Sequence, residues 1–376
     1  MMKRIGLAIL LLTGLLLCVS GCGNSKNTTV STSEDFSDKN VYRPMGSFTE
    51  SDKGIYEIQW KNEYTPILFT DKVSGKRTVL CNKVNCKHDS TDCPAIEDGI
   101  MGCLTYSDEM LFFMAYKIVD GYPKLELFSM NEDGSEKKKI HTFENAKVFP
   151  NQAGLFKGKI ILSAATIEET EDGTGAATAE PSIIIYELDT KKETVILDGA
   201  MNKDKYTVPC GGCNDGFYLA QMSWDDENLD KECIYLKYSF ENESIEEIYR
   251  TKEYNLQMIT NNTLYLQSEG NSKIESYNIE KSQYKDIMTL EEKYDQIRAR
   301  EDHIEFIKET EIDGEKHNIV NWYDIETEEF LFDEFQDADK IRVMKKTDKG
   351  YLIYKDGEPY FYNHENKKWQ SVENIG

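Results

Sequence analysis

An all-β fold is predicted by three observations: short apolar and aromatic runs bounded by turn residues, a module that recurs seven times, and no sustained helical period beyond the first apolar run. The first run of each module falls at residues 54–58, 110–114, 159–162, 216–219, 263–266, 303–307 and 350–354. A polar loop leads to a second run carrying an aromatic anchor, in order Phe69, Phe128, Tyr186, Tyr238, Tyr277, Tyr323 and Phe361. A polar hairpin turn then starts a third run. Tyr186-Glu187-Leu188-Asp189-Thr190-Lys191 and Tyr323-Asp324-Ile325-Glu326-Thr327-Glu328 are two copies of that turn. Upstream segments 43–48, 101–106, 148–155, 207–213, 256–260, 296–300 and 340–345 can each supply a fourth strand.

The anchors recur at intervals of about 38 to 59 residues, bracketing the ~40–50 of one propeller blade. Repeated four-stranded antiparallel units point to a β-propeller, in which each sheet buries its faces against its neighbours. Seven blades are expected, with six and eight as the neighbouring alternatives. A β-sandwich or two stacked β-domains is the alternative fold. Residues 41–376 read as one propeller domain whose terminal blades can meet directly, with exchange of a terminal strand between them left open.

The N-terminus has a different character. Met1-Met2-Lys3-Arg4 is basic, residues 5–19 are almost wholly apolar, and Val19-Ser20-Gly21-Cys22 places small residues before a cysteine. This is similar to a bacterial lipoprotein signal peptide over residues 1–21, with Cys22 acylated and cleaved to the new N-terminus. Multiple acyl chains, palmitate among them, give a stable anchor where one is marginal. Residues 23–40 are nearly all Ser, Thr, Asn, Asp, Lys and Gly, so Cys22 and its polar tether are expected to span residues 22–40. That tether would hold the body about 23 Å from the bilayer. The expected location is the extracytoplasmic face of the cell membrane. A net charge of −24 argues against nucleic acid and against adhesion to anionic lipid, and suits a solvated monomer.

The most distinctive stretch is Cys81-Asn82-Lys83-Val84-Asn85-Cys86-Lys87-His88-Asp89-Ser90-Thr91-Asp92-Cys93. It resembles the Cys-x4-Cys-Lys-His-Asp-x3-Cys segment of propeller-like lipoproteins of Gram-positive, clostridial-type anaerobes. Those form a domain-of-unknown-function group related to the Tol-type periplasmic propeller. The resemblance implies a propeller fold and a lipid anchor, and it implies no activity. From the residues themselves two readings stand. Cys81, Cys86, Cys93 and the nearby Cys103 could form disulfide staples, the expected choice for an exported chain. Alternatively, Cys81, Cys86, His88 and Cys93 could hold zinc, although the single residue between Cys86 and His88 strains convergence. In Cys210-Gly211-Gly212-Cys213 no helix N-terminus is expected to activate a thiol, so a local bridge, or one to Cys233, is expected rather than redox chemistry.

Catalytic signatures are absent from the sequence: it holds no Gly-x-Ser-x-Gly, His-Glu-x-x-His or Walker loop. Gly173-Thr174-Gly175 reads as a loop, and His141, His303, His317 and His364 as surface residues. Asp226, Asn228 and Asp230 open like a calcium loop, but Lys231 and Lys237 stand where Gly and Glu are needed. Insertions 168–181, expected to be mobile, and 225–232 beside Trp224 are the places to look for a ligand. The reading that results is a lipid-anchored binding or interaction module for a protein, peptide or glycan, with no catalytic residue and no cofactor assigned. One alternative is a propeller enzyme acting on surface glycans or lactones. The other is a metal- or redox-linked envelope sensor using residues 81–93.

Overall fold

The computed structural model describes residues 41–375 apart from short segments, the longest being 331–340. Residues 1–40, and with them Cys22 and its tether, lie outside the described residues, as do Gly173–Gly175 and Asp226–Asp230. No described helix is long and apolar enough to cross a membrane.

Among the described residues, seven sheets of four or five strands follow one another along the chain, antiparallel except for one added C-terminal strand, each with its strands in sequence order. The expected first runs are the second strands: Gly54–Ile58, Met110–Val119, Lys159–Ala164, Gly216–Trp224, Thr263–Ser268, His303–Ile312 and Gly350–Lys355. The upstream segments supply the first strands, such as Ile100–Ser107, Gln152–Phe156 and Lys205–Cys213. The fold is a seven-bladed β-propeller.

Burial on both faces explains why the strands read as continuous apolar runs rather than alternating ones. In the third blade, Ile160 and Leu162 join the core shared with the second blade, while Ile161 between them joins the core shared with the fourth. Ile183 and Ile185 of strand Ser182–Glu187 face the fourth blade, and Ile184 and Tyr186 face the second. Each aromatic anchor stands opposite a second-strand residue. The pairs are Tyr56 with Phe69, Phe113 with Phe128, Ile160 with Tyr186, Phe217 with Tyr238, Leu264 with Tyr277, Ile304 with Tyr323 and Leu352 with Phe361. The second-strand partner is buried in all seven blades.

The turns after the third strands share one chemistry. Asp71, Asp133, Asn242, Asn278 and Asp324 accept a backbone N–H two or three residues ahead. A left-handed residue then completes the turn, among them Gly75, Lys191, Glu243, Ser282 and Glu328. Lys191 and Glu328, matched in the sequence, have φ of 57° and 58°.

Two features depart from the sequence reading and a third settles a point it left open. Segment 43–48 does not form one strand: Arg43–Met45 pairs with Gln152–Phe156 of the third blade, and Phe48–Glu50 with Gly54–Ile58 of the first. Between them Gly46 exchanges hydrogen bonds with Leu104 of the second blade, 3.1 and 2.8 Å. The bulge between Gly102 and Thr105 turns the Leu104 amide and carbonyl out for this purpose. Within the insertion, Ile167–Glu169 pairs with Ala176–Thr178 as a short ribbon rather than a loop. At the other terminus, Asn374–Ile375 adds in parallel to Arg77–Val79, so a C-terminal strand joins the first blade.

Gly154 makes the first of these departures possible, because a Cβ there would lie 2.2 Å from the Tyr42 ring. Gly154→Ala is expected to cost about 1–3 kcal/mol through overpacking. Urea midpoints should show the cost shrinking in a Tyr42→Ala background, since the two sites share one contact. An equal cost in both backgrounds would contradict the close approach.

Candidate metal centre

Residues 81–94 connect the outer strand of the first blade, Arg77–Val79, to the second blade. The connection is closed at its base by one residue. Leu80 donates its N–H to the Ile67 carbonyl, and the Ile67 N–H donates to the Ala95 carbonyl, each at 2.9 Å. The two ends of the loop are thereby held side by side. Beyond them residues 82–85, 87 and 89–92 are exposed, while Cys81, Cys86 and His88 are half-buried; Cys93, Ala95 and Ile96 are the buried members. These three join Tyr56, Ile67, Leu80, Met101 and Phe113 in the seam between the first two blades.

At the turn of this loop Cys81, Cys86, His88 and Cys93 converge, with one ligand atom from each lying within 4.8 Å of every other. His88 Nδ1 is 3.3 Å from Cys93 Sγ. The strain expected from the single residue between Cys86 and His88 is relieved by the backbone. Asn85 and His88 adopt left-handed φ of 60° and 55°, a region that Asn and His enter more readily than most residues. The turn this makes brings the imidazole back onto the face of the thiols.

The local electrostatics are uneven. The His88 backbone N–H, together with the neighbouring thiols and Lys83, holds the Cys86 thiol below the usual thiol range. Burial first, then Cys81 and Cys86, push Cys93 up to about 12. Three thiols this close cannot all ionise without a cation between them. Three thiolates and one neutral imidazole are a tetrahedral donor set for zinc. Metal–sulfur bonds of about 2.3 Å place sulfurs about 3.8 Å apart, so the group closes on an ion with small movements. The residues present fit such an ion.

The other cysteines stand elsewhere. Cys103 sits at the bulge of the second blade's inner strand, packed against the core shared with the third blade, and burial pushes its thiol up to about 12. It is not a fourth thiol for the loop. Cys210, Cys213 and Cys233 are buried in the core between the fourth and fifth blades. Burial raises all three thiols, and Cys213 Sγ donates to Asp215 Oδ1 at 3.6 Å. All seven described cysteines are free thiols, so neither the staples among Cys81, Cys86, Cys93 and Cys103 nor a bridge among Cys210, Cys213 and Cys233 is formed.

Two histidines read as surface residues are packed between side chains. His141 stacks on Tyr186 at 4.1 Å and bonds Glu193 at 2.8 Å, tying the second blade to the third. His303 is buried and stacks on Trp322 at 3.5 Å. The Asp226–Asp230 segment, His364 and the side chains of His317 and Trp224 lie outside the described residues.

Neither a family model nor a curated protein sequence matches the chain. Solved structures do. The chain is similar to the β-propeller domain of the Trilobed protease from Pyrococcus furiosus, with 11% identity, 88% of this chain and 98% of that one covered, and a TM-score of 0.52. It is also similar to a prolyl endopeptidase, with 12% identity, 91% and 52% covered, and a TM-score of 0.54. Acylaminoacyl peptidase from Pyrococcus horikoshii gives 10%, 88% and 52%, and 0.51. The chain thus spans about half the length of the two peptidases. At these identities the likeness concerns the fold.

In metal-free protein at pH 8, Cys86 is expected to react with iodoacetamide first and the buried Cys210 and Cys233 last, as their thiolate fractions require. Peptide mass spectrometry would read the order, and alkylation of Cys210 ahead of Cys86 would contradict it. Cys103→Ser should leave zinc uptake unchanged, whereas Cys93→Ser should abolish it.

Proposed function

We propose that this chain is a lipid-anchored, extracytoplasmic β-propeller that works as a binding module, with a structural zinc ion at Cys81, Cys86, His88 and Cys93. The observation that carries the reading is the convergence of those four donors. A site whose four positions are all filled by protein holds its ion for architecture, since a catalytic zinc keeps a position open for water or substrate. The protein's own residues hold and orient the ion; the ion supplies a crosslink in a loop most of whose residues are exposed. Binding is assigned to the loops, because the strands are committed on both faces to packing.

The anchor is supported by the basic start, the apolar run and Val19-Ser20-Gly21-Cys22. The same features, together with residues 81–93, support placing the chain with the clostridial-type propeller lipoproteins. Its ligand on this reading is a protein, peptide or glycan outside the cell membrane.

Two measurements test the proposal. Mass spectrometry of the N-terminal peptide should find a diacylglyceryl group on Cys22, and Cys22→Ser should release the protein from the membrane fraction. Elemental analysis of the purified full chain should find stoichiometric zinc that a chelator removes. Disulfides among Cys81, Cys86 and Cys93 in place of zinc would defeat the metal assignment. Arrays of extended peptides and cell-wall glycans should show retention with the bound compound unchanged in mass. Release of a cleaved product would replace the binding module with an enzyme.

A further inference from the structure

The strand that carries the loop also carries the ring closure. Arg77–Val79 pairs on one side with Ile67–Asp71 and on the other, in parallel, with Asn374–Ile375. It is three residues long, and its C-terminal partner contributes two. Pairing that short is marginal by itself, all the more in parallel register. Among the described residues, Ile55, Leu352 and Phe361, with Phe48 against them, pack in the seam between the last blade and the first. The firmness with which Arg77–Val79 is held as a strand therefore bears directly on this closure.

Its two ends are held in different ways. At the first end, Arg77 is buried and ion-paired to the buried Glu57 of the central strand Gly54–Ile58. At the second end, Val79 passes directly into Leu80 and Cys81. The Cys81 N–H donates to the Val79 carbonyl at 2.8 Å, and the Cys81 side chain is one of the four converging donors. Leu80 is backed by the turn of the second blade, where a Cβ on Gly134 would lie 2.4 Å from the Leu80 carbonyl oxygen. The four donors thus add to the hold that Leu80 gives the end of the strand opposite the Arg77 ion pair.

We propose that the metal locks the ring: ligation by Cys81, Cys86, His88 and Cys93 holds Arg77–Val79 in the geometry onto which Asn374–Ile375 docks. Ligation and closure are then coupled. The inference rests on the zinc assignment above and adds to it a defined mechanical consequence. Coupling of this kind is reciprocal, so whatever factor the ion contributes to closure, closure contributes to the affinity for the ion.

Amide hydrogen exchange of the full chain, purified in detergent with zinc and again after chelation, tests it. Removal of the ion is expected to speed exchange about tenfold in peptides covering 77–81 and 374–376, the order typical of intersite coupling. Peptides from Gly216–Trp224 and Lys231–Ser239 of the fourth blade should not change. A second variant, truncated after Ser371, should bind zinc more weakly by a similar factor in chelator competition. Stoichiometric zinc whose removal speeds exchange only within 81–95 would overturn the coupling and leave the metal assignment standing. Equal acceleration in the fourth blade would overturn it too, as general destabilisation. A chain that takes up no zinc would overturn both.

Discussion

The propeller depends on one cross-strand pair made seven times. In each blade an aromatic side chain on the third strand faces a buried residue on the second, and the rest of the sheet is registered from that contact. Where both members are aromatic the rings sit close, at 5.2 Å for Tyr56 and Phe69, 5.3 Å for Phe113 and Phe128, and 5.2 Å for Phe217 and Tyr238. Because alternate residues of these strands enter two different seams, a slip of one residue would exchange the contents of neighbouring cores. The pairs therefore fix orientation as well as burial, and they leave the turns free to vary in length.

These middle hairpins were the legible part of the chain. Strands buried on both faces carry apolar side chains at nearly every position, and their turns carry Asp or Asn followed by a left-handed residue, so both ends are marked. The first strands were located by position, but their bulges were not. A bulge such as that at Cys103 and Leu104 exists to meet a partner far away in sequence, here Gly46, and has no local signature. The pairing of Arg43–Met45 with the third blade, and of Asn374–Ile375 with the first, was not legible for the same reason: short edge strands are defined by what they pair with.

The metal-ligating group was legible as a set of residues but not as a geometry. Its spacing matches no ordinary finger or knuckle, and the gap between Cys86 and His88 counted against convergence. The signal that could have reversed that judgement was Asn85 and His88, two residue types that enter left-handed backbone and so tighten the turn. Proximity along the chain also suggested Cys103 as a partner. Ten residues beyond Cys93, it belongs to a different seam, because the strand that carries it turns its bulge toward the third blade.

Residues 43–50 touch the third, second and first blades in that order, opposite to the order of synthesis. Arg43 finds its partner at Leu155, and Arg77 finds Asn374. Arg43–Met45 must therefore wait, unpaired, until roughly two fifths of the chain has appeared, and Arg77–Val79 gains its second partner only with Asn374–Ile375. Native pairings this distant in sequence are slow to form. The molecule thus has an assembly schedule in which one edge of its first blade is covered only after every other blade has been made, leaving a window in which a chaperone or a neighbouring chain could reach that strand edge first.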